Sequence, residues 1–378
     1  MVGSLTFHWA DDVGAMLQAF ALKHCLEDLG EQTEVIPYAP LRLSGRYWWC
    51  PLAAKALPDG RVKYWLDLSA WRYNRALGST FWKRRRAMHA FRRRYLSARP
   101  AIRTASRISL KKYDLVFVGS DQVWNPDITV GLDDAYIGNI KNRDACRLVA
   151  YAASMGRDTL PEDCREKFIR CAGPAFSAIS VREESALPFL EHLLHRPAAA
   201  LIDPVFLLRR EDWRRIGHLP PEKGYVLLHR TEGNADMAQY AIDLARQLDR
   251  QLIQTSFPMI NGPDRAVRLC AEGGPAEFLG YIQNAACIVT NSFHAAAFSI
   301  LFEKPFIAFG HSAYHSRLAG LAEKLGLQAR IWDQARPAGL ECVWEAIDWP
   351  AVQAKIAAER AQSIQFICDA LKEAKNRN

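Results

Sequence analysis

The sequence lacks the signatures of several common protein classes. No run of about 18 or more apolar residues occurs, so the main signal for a transmembrane helix is missing. The sequence contains no GxxxxGKS/T, no GxGxxG after a strand and no HExxH. It therefore lacks the motifs of P-loop proteins, dinucleotide-binding proteins and zincins. The first residues, MVGSLTFHWADD, reach two aspartates before an apolar signal-peptide core could form, and we expect a cytoplasmic protein.

The cysteines and carboxylates are not arranged as disulfide or metal sites. The nine cysteines include no CxxC pair, and an odd number cannot all pair with each other. Reduced, mostly structural thiols are the expected state. No clustered carboxylate pair shows the spacing of metal ligands, so we predict no metal. We also expect no cofactor.

The composition that is present predicts two α/β domains. The chain has 378 residues, of which 49% are hydrophobic and 24% charged, enough for two cores. Short aliphatic runs alternate with helical stretches, a pattern typical of parallel sheets with crossover helices. We predict one domain at 1–200, with a basic helical insertion at about 58–97, and a second domain at 201–355. A helix at 356–378 is expected to pack back on the first domain.

The net charge of +8 is concentrated in one segment. The stretch FWKRRRAMHAFRRRYL, residues 81–96, holds seven basic residues and no acidic residue. One interpretation is a solvated helix face whose apolar side packs on the domain; the other is a surface for an anionic substrate or anionic lipid. No zinc knuckle, RNP box or helix-turn-helix signature accompanies it, so we do not expect nucleic acid binding.

Polar side chains follow several of the predicted strands. In doubly wound sheets, ligands bind in the crevice at the carboxyl ends of the strands, so these residues are site candidates. They are His8, Asp11 and Asp12 after the first strand; Asp121 and Gln122, with Trp124, in YDLVFVGSDQVWNP; Arg182; His229 and Arg230; and Asn291, Ser292 and His294.

The turn at Asn291 to His294 has the pattern of an anion site. A helix that opens at about Ser292 leaves backbone N–H groups unpaired at its positive end, where anions bind. Ser292 is a plausible N-cap, and His294 in the first turn could donate to a bound phosphate. The alternative is a capped helix whose histidine is satisfied locally.

The other candidates also have structural alternatives. Arg182 offers a planar fork for a carboxylate or phosphate, or it pairs with a neighbouring glutamate. Asp121 could handle protons or cap a turn. The ring of Trp124 would suit the face of a sugar.

Several stretches together resemble the polysaccharide pyruvyl transferase family, over roughly residues 3 to 330. They are FHWADDVGAMLQAFALKHCLEDLG, YDLVFVGSDQVWNP, ISVREES, LIDPVFLL and TNSFHAAAFSILFEKPFIAFG, of which GSDQVWNP and SFHAAAFSILFEKPF are the most specific. The resemblance implies a fold similar to the GT-B glycosyltransferases, with two Rossmann-like domains around a central cleft. It implies transfer of the pyruvyl group of phosphoenolpyruvate to a sugar diol of a cell-surface polysaccharide or its lipid-linked precursor.

The resemblance also implies roles for individual residues. His294 and Asp121 are the expected catalytic residues, His294 for the phosphate or the proton donor and Asp121 for a hydroxyl or the cationic centre. The donor phosphoenolpyruvate would be bound by Arg182, Asn291, Ser292, His294 and Arg317, and the acceptor by Trp124, Gln122, His8 and Asp12. Many members carry an arginine at the position of Ser292, and we expect Arg317 to replace that contact.

Two other functions fit the same pattern. One is a GT-B-type glycosyltransferase that holds the diphosphate of a nucleotide sugar at the helix near Ser292. The other is a non-catalytic protein that recognises an anionic glycan or lipid. For the pyruvyl transferase we expect the basic segment to face an anionic membrane or an acidic acceptor, and for the binding protein we expect it to help recognise the anionic glycan or lipid.

Overall fold

The computed structural model describes residues 1–57, 61–96, 101–256, 267–310, 315–332 and 339–376. They divide into two compact units, each with its own sheet. Unit 1 comprises Met1–Leu77, Arg92–Leu207 and Glu359–Asn378, and unit 2 comprises Gly78–Phe91 and Leu208–Ala358. The expected α/β class with two Rossmann-like domains is confirmed.

The described strands of unit 1 form a six-stranded parallel sheet in the order β2-β1-β5-β6-β7-β8, together with a separate hairpin of β3 and β4. Their bounds are β1 Val2–Leu5, β2 Thr33–Val35, β3 Leu52–Ala56, β4 Val62–Leu66, β5 Leu115–Gly119, β6 Arg147–Ala153, β7 Phe176–Val181 and β8 Ala199–Ala200. The helices of the unit are α1 Val13–Asp28, α2 Leu41–Ser44, α3 Leu68–Leu77, α5 Pro126–Thr129, α6 Glu162–Ala175 and α7 Leu187–Leu194.

The described strands of unit 2 form a second six-stranded parallel sheet in the order β11-β10-β9-β12-β13-β14. Their bounds are β9 Val226–His229, β10 Leu252–Gln254, β11 Arg268–Leu269, β12 Cys287–Thr290, β13 Phe306–Phe309 and β14 Ile331–Trp332. The helices of the unit are α4 Ser79–Phe91, α8 Arg210–Ile216, α9 Ala235–Gln247, α10 Pro275–Asn284, α11 Phe293–Leu301 and α12 His315–Leu325. The last helix, α13 Trp349–Lys375, has its residues up to Ala358 in unit 2 and the following residues in unit 1.

The central strands are buried along their whole length, because helices cover both faces of a parallel sheet. All residues of β5 and β12 are buried. This explains why the sequence shows them as continuous apolar runs rather than alternating patterns. Each run ends where polar residues begin, so the sheet brings the polar residues of neighbouring strands to one edge.

Part of the basic segment belongs to unit 2 and not, as predicted, to the amino-terminal domain. Helix α4 packs on the start of α10, where a Cβ on Gly274 would lie 3.0 Å from the carbonyl carbon of Ala87. Lys83 Nζ lies 3.0 Å from Glu272 Oε1, which neutralises part of the segment's charge. Residues 58–60 and 97 of the predicted insertion lie outside the described residues.

The apolar side of the basic segment packs inward, as one of the two interpretations requires. Met88 and Phe91 are buried, whereas the neighbouring basic side chains of α4 are exposed or partly exposed. None of the helices that the structure describes combines the length and the apolar composition that crossing a bilayer requires.

Candidate functional site

In unit 1, the turn after β5 places Asp121 at the carboxyl edge of the sheet. Asp121 has a φ of +68°, a left-handed conformation that only a few per cent of residues other than glycine adopt. Its Oδ1 accepts a hydrogen bond from the backbone N–H of Gln122 at 2.9 Å, and its carbonyl oxygen accepts from Ser154 N–H at 2.9 Å. The strained turn is therefore held from both sides, which fixes the carboxylate at the strand end.

Arg182 follows β7 and lies at the centre of three carboxylates. Its Nη1 donates to Asp203 Oδ2 at 2.7 Å, its Nε lies 3.6 Å from Glu183 Oε1, and its Nη2 lies 4.0 Å from Asp121 Oδ1. Burial alone would lower the pKa of Arg182, but the carboxylates raise it above its ordinary value.

The donor-binding role predicted for Arg182 does not fit this environment. The side chain is 4% exposed, and Asp203, its closest partner, is fully buried. The guanidinium charge is balanced inside unit 1, which favours a structural role at the edge of the sheet, and donor binding by Arg182 stays a prediction. Asp121, at 11%, is the most exposed carboxylate of the cluster.

Glu183, the neighbouring glutamate that the sequence offers as a partner for Arg182, adds a further carboxylate to the same edge. Ser154 Oγ donates to Glu183 Oε1 at 2.5 Å, and Ser154 Oγ also accepts from Gly156 N–H at 3.0 Å. The second oxygen of Glu183, Oε2, is buried and has no hydrogen-bond partner within the described part of the chain. The cluster of Asp121, Glu183 and Asp203 around Arg182 thus has an excess of two formal negative charges when all four groups are ionised.

The sugar-stacking role predicted for Trp124 is wrong for this structure. The side chain is completely buried, and its Nε1 donates to the carbonyl of Tyr136 at 2.8 Å. Its ring packs edge-on against Phe168 and tilted against Phe176, with centroids 5.0 and 5.8 Å apart. Trp124 is a core residue because the chain turns back into unit 1 directly after Asp121.

The other predicted acceptor residues have local structural partners. Gln122 is buried, and its Oε1 accepts from Asn125 Nδ2 at 2.7 Å. Asp12 is the N-cap of α1, since its side chain accepts from Ala15 N–H at 2.8 Å. His8 is buried with its Nδ1 3.2 Å from the carbonyl of Thr6, and burial lowers its pKa to about 4. Acceptor binding by Gln122, Asp12 and His8 stays a prediction.

In unit 2, the turn between β12 and α11 is a capped helix start, as the sequence predicts. Ser292 Oγ accepts from Ala295 N–H at 3.4 Å, and Ser292 N–H donates to Thr290 Oγ1 at 2.9 Å. His294 is the second residue of α11 and is 8% exposed, with its ring 5.3 Å from that of Phe293. The positive end of α11 therefore lies at the carboxyl edge of the sheet.

Asn291 is used differently from the predicted donor contact. Its Oδ1 accepts from Thr231 N–H at 2.8 Å, and its Nδ2 donates to the carbonyl of Glu232 at 3.3 Å. Both ends of the amide thus hold the loop between β9 and α9. Donor binding by Asn291 stays a prediction.

Arg317 reaches the same edge from the next strand along the sheet. It is the third residue of α12, which follows β13, and β13 pairs in parallel with β12 through Val289 and Ile307. Helices after adjacent parallel strands begin at the same edge of a sheet, and α11 and α12 are in contact. The edge therefore gathers two helix starts, with His294 in the first turn of α11 and Arg317 in the first turn of α12, residue types that together suit an anion.

His229 and Arg230, for which the sequence suggests no specific role, complete this edge. His229 Nδ1 lies 3.0 Å from Thr255 Oγ1 at the end of β10. Arg230 Nη2 donates to Gln254 Oε1 at 3.2 Å, and Arg230 N–H donates to Ser256 Oγ at 2.9 Å. The signal in the sequence is their position directly after a buried strand.

The comparisons with known proteins agree with this architecture. The sequence model of a family described as polysaccharide pyruvyl transferase matches residues 12–313. A putative UDP-N-acetylglucosamine 2-epimerase from Listeria monocytogenes is similar in structure with a TM-score of 0.51 and 11% identity, over 100% of this chain and 96% of that chain. The S. aureus protein MnaA, solved with UDP, gives a TM-score of 0.50 and 12% identity, over 99% of this chain and 96% of that one. These structures show the fold alone, and no curated protein matches the sequence.

Proposed function

The chain belongs to the polysaccharide pyruvyl transferase family, and we propose that it moves the pyruvyl group of phosphoenolpyruvate onto a sugar diol. The product would be a pyruvate ketal on a cell-surface polysaccharide or its lipid-linked precursor, and inorganic phosphate would be released. Phosphoenolpyruvate would serve as a co-substrate, without a further cofactor.

The observation that carries the proposal is the edge of the unit 2 sheet where α11 and α12 begin. Phosphoenolpyruvate has a carboxylate and a phosphate, so its site needs cationic groups and N–H donors at two places. The first turn of α11 offers backbone N–H groups and His294, and the first turn of α12 offers Arg317. This pairing of a helix end with a guanidinium is the chemistry that such a dianion requires.

The reaction requires balanced proton transfers. The methylene carbon of phosphoenolpyruvate takes up one proton, which leaves a cation-like centre at C2. One sugar hydroxyl forms a C–O bond to C2 and loses its proton, the C2–O bond to phosphate breaks, and the second hydroxyl closes the ketal and loses its proton. Of these two protons, one balances the proton taken up by the methylene carbon and the other ends on the released phosphate. We assign His294 to the phosphate or to protonation of the methylene carbon, and Asp121 to a hydroxyl proton or to the cationic centre.

Turnover tests the proposal directly. The protein is incubated with phosphoenolpyruvate and candidate saccharides, and mass spectrometry follows the mass gain of a pyruvate ketal while released phosphate is quantified. We expect the product with the wild-type protein, and its loss in His294→Ala and in the more conservative His294→Asn. His192→Ala is the matched control, because His192 is exposed on α7. A folded His294→Ala variant with wild-type turnover would contradict the catalytic role of His294.

A thermal-shift titration distinguishes the donor. A ligand that binds the native state alone stabilises it by about 2.7 kcal/mol at a hundred times its Kd. We expect phosphoenolpyruvate to raise the melting temperature and a panel of UDP- and GDP-sugars to leave it unchanged. A melting temperature raised by a nucleotide sugar and not by phosphoenolpyruvate would instead favour a nucleotide-sugar glycosyltransferase.

The acceptor determines where the protein works. A lipid-linked saccharide lies at a membrane surface, so the proposal includes a cytoplasmic enzyme that makes peripheral contact with an anionic membrane. Activity on a lipid-linked oligosaccharide in vesicles, compared with the free oligosaccharide, measures this preference.

A further inference from the structure

The hairpin of β3 and β4 exposes an unusual amount of apolar surface. Tyr64, Trp65 and Leu66 of β4 are 40%, 46% and 41% exposed, and Leu68 at the start of α3 is 54% exposed. Single exposed apolar residues are ordinary, whereas a contiguous group marks an interaction site. These four residues lie within five consecutive positions of one segment.

The two faces of the hairpin differ in chemistry. Residues directly opposite each other share a face, because side chains alternate along a strand. One face consists of three apolar cross-strand pairs, Leu52 with Leu66, Ala54 with Tyr64, and Ala56 with Val62. The other face holds Ala53 opposite Trp65 and Lys55 opposite Lys63. The two lysines therefore lie on one face only, and residues 63–66 of β4 are exposed on both faces.

The two lysines indicate what binds there. Lys55 and Lys63 are exposed and directly opposite each other, and like charges in that position repel. Within the described part of the chain, neither lysine takes part in an ion pair. An anion held between the two ammonium groups would remove this repulsion.

Helix α3 extends the same kind of surface. Asn74 Nδ2 donates to the carbonyls of Trp48 and Trp49 at 3.1 and 3.2 Å, which ties α3 to the segment before β3. The Arg75 guanidinium lies 5.0 Å from the ring of Trp71. Indole and phenol rings beside lysine and arginine are the composition of the bilayer interface, where rings enter the headgroup layer and cations meet lipid phosphates.

We propose that the exposed edge of this hairpin, along β4, docks the protein on an anionic lipid bilayer, with Tyr64 and Leu66 on one face, Lys63 and Trp65 on the other, and Lys55 opposite Lys63. The rings and Leu66 enter the headgroup layer, and the two lysines contact lipid phosphates. A second copy of the chain is a poorer occupant, because strand pairing at the edge of β4 would bring Lys63 of both copies to the same interface. The inference rests on the proposed function, because docking on a bilayer would bring the enzyme to a lipid-linked acceptor.

Vesicle sedimentation with the full chain tests the docking surface. We expect the wild-type protein to sediment with phosphatidylcholine vesicles that contain phosphatidylglycerol, and to stay in solution with phosphatidylcholine alone or at high salt. Lys55→Glu/Lys63→Glu and, separately, Trp65→Ser should weaken binding by about tenfold or more. The matched controls, Lys372→Glu and Trp344→Ser, change equally exposed residues elsewhere and should bind as the wild type does.

Three results would overturn the inference. They are absence of sedimentation, equal binding to neutral and anionic vesicles, and unchanged binding of both hairpin variants. Stronger binding to a soluble acidic polysaccharide such as alginate than to the vesicles would assign the surface to glycan instead. The assay contains neither phosphoenolpyruvate nor a saccharide, so its failure leaves the turnover test intact, and a failed turnover test leaves lipid binding measurable.

Discussion

Replacing Arg182 by leucine should strongly destabilise unit 1. The change removes the cation that balances Asp203, whose side chain is fully buried, and leaves Glu183 without its nearest positive charge. Removing one partner of a buried ion pair costs about 3 to 5 kcal/mol. Asp203 keeps hydrogen bonds from Val205 N–H at 3.0 Å and from Ser120 Oγ at 3.4 Å. We therefore expect the free energy of unfolding to fall by about 3 kcal/mol, near the lower end of that range.

The free energy of unfolding from urea titrations measures this loss. The matched control is Arg170→Leu, since Arg170 is 69% exposed and pairs with Glu166 across one helical turn. Such a surface pair contributes at most about 1 kcal/mol. Adding Asp203→Asn to Arg182→Leu should recover part of the loss, because the buried carboxylate is then neutral.

Similar losses of stability in Arg182→Leu and Arg170→Leu would contradict the structural role of Arg182. An Arg182→Leu variant that keeps its stability and loses affinity for phosphoenolpyruvate would also contradict it, because Arg182 would then be the donor contact that the sequence predicts. The experiment thus separates a structural cation from a binding residue.

Two further predictions concern buried residues of unit 1. The pKa of His8 is about 4 in the fold, lowered first by burial and further by Arg92, against 6.5 when unfolded. Between about pH 6.5 and pH 4, the folded state therefore binds fewer protons than the unfolded state. The free energy of unfolding should fall as the pH drops through this range, by up to about 3 kcal/mol. Urea titrations between about pH 7 and pH 4 should show a smaller fall in His8→Asn, and equal falls would contradict the pKa shift. Trp124→Ala should cost about 3 to 5 kcal/mol of unfolding free energy, whereas Trp344→Ala, at a 42% exposed position, should cost much less. A stable Trp124→Phe variant with an increased KM for the acceptor would instead support sugar stacking.

The sheets could be predicted because burial on both faces produces continuous apolar runs. The runs at β5, β9 and β12 stand out in the sequence and are strands in the structure. Their ends also indicate where Asp121, Ser292 and His294 lie, because a parallel sheet places the ends of neighbouring strands at one edge.

Trp124 could not be placed by the same reasoning. The left-handed turn at Asp121 reverses the direction of the chain, and no periodicity in GSDQVWNP reveals it. The bond from Trp124 N–H to the Ser154 carbonyl and the bond from its Nε1 to Tyr136 involve residues that are distant in sequence. Tertiary contacts therefore decide that this indole is core. Arg182 is a similar case, since Asp203 follows it by 21 residues.

The hairpin of β3 and β4 has a turn signal in the sequence. The residues Pro-Asp-Gly at 58–60 separate two short runs, and the second run contains Val62, Tyr64 and Leu66 in alternation. A turn signal followed by alternating apolar residues is typical of a hairpin. The exposure of both its faces, in contrast, follows from the packing of unit 1 and not from the pattern.

Binding of phosphoenolpyruvate to single variants, measured by isothermal titration calorimetry, tests the central claim most directly. The claim places the donor at the edge of the unit 2 sheet where α11 and α12 begin. Arg317→Met should weaken binding by about tenfold or more, the equivalent of one hydrogen bond to a charged group. Arg246→Met on the exposed side of α9 and Asp121→Asn in unit 1 should keep the wild-type affinity. Unchanged binding in Arg317→Met, or its loss in Asp121→Asn alone, would contradict the account.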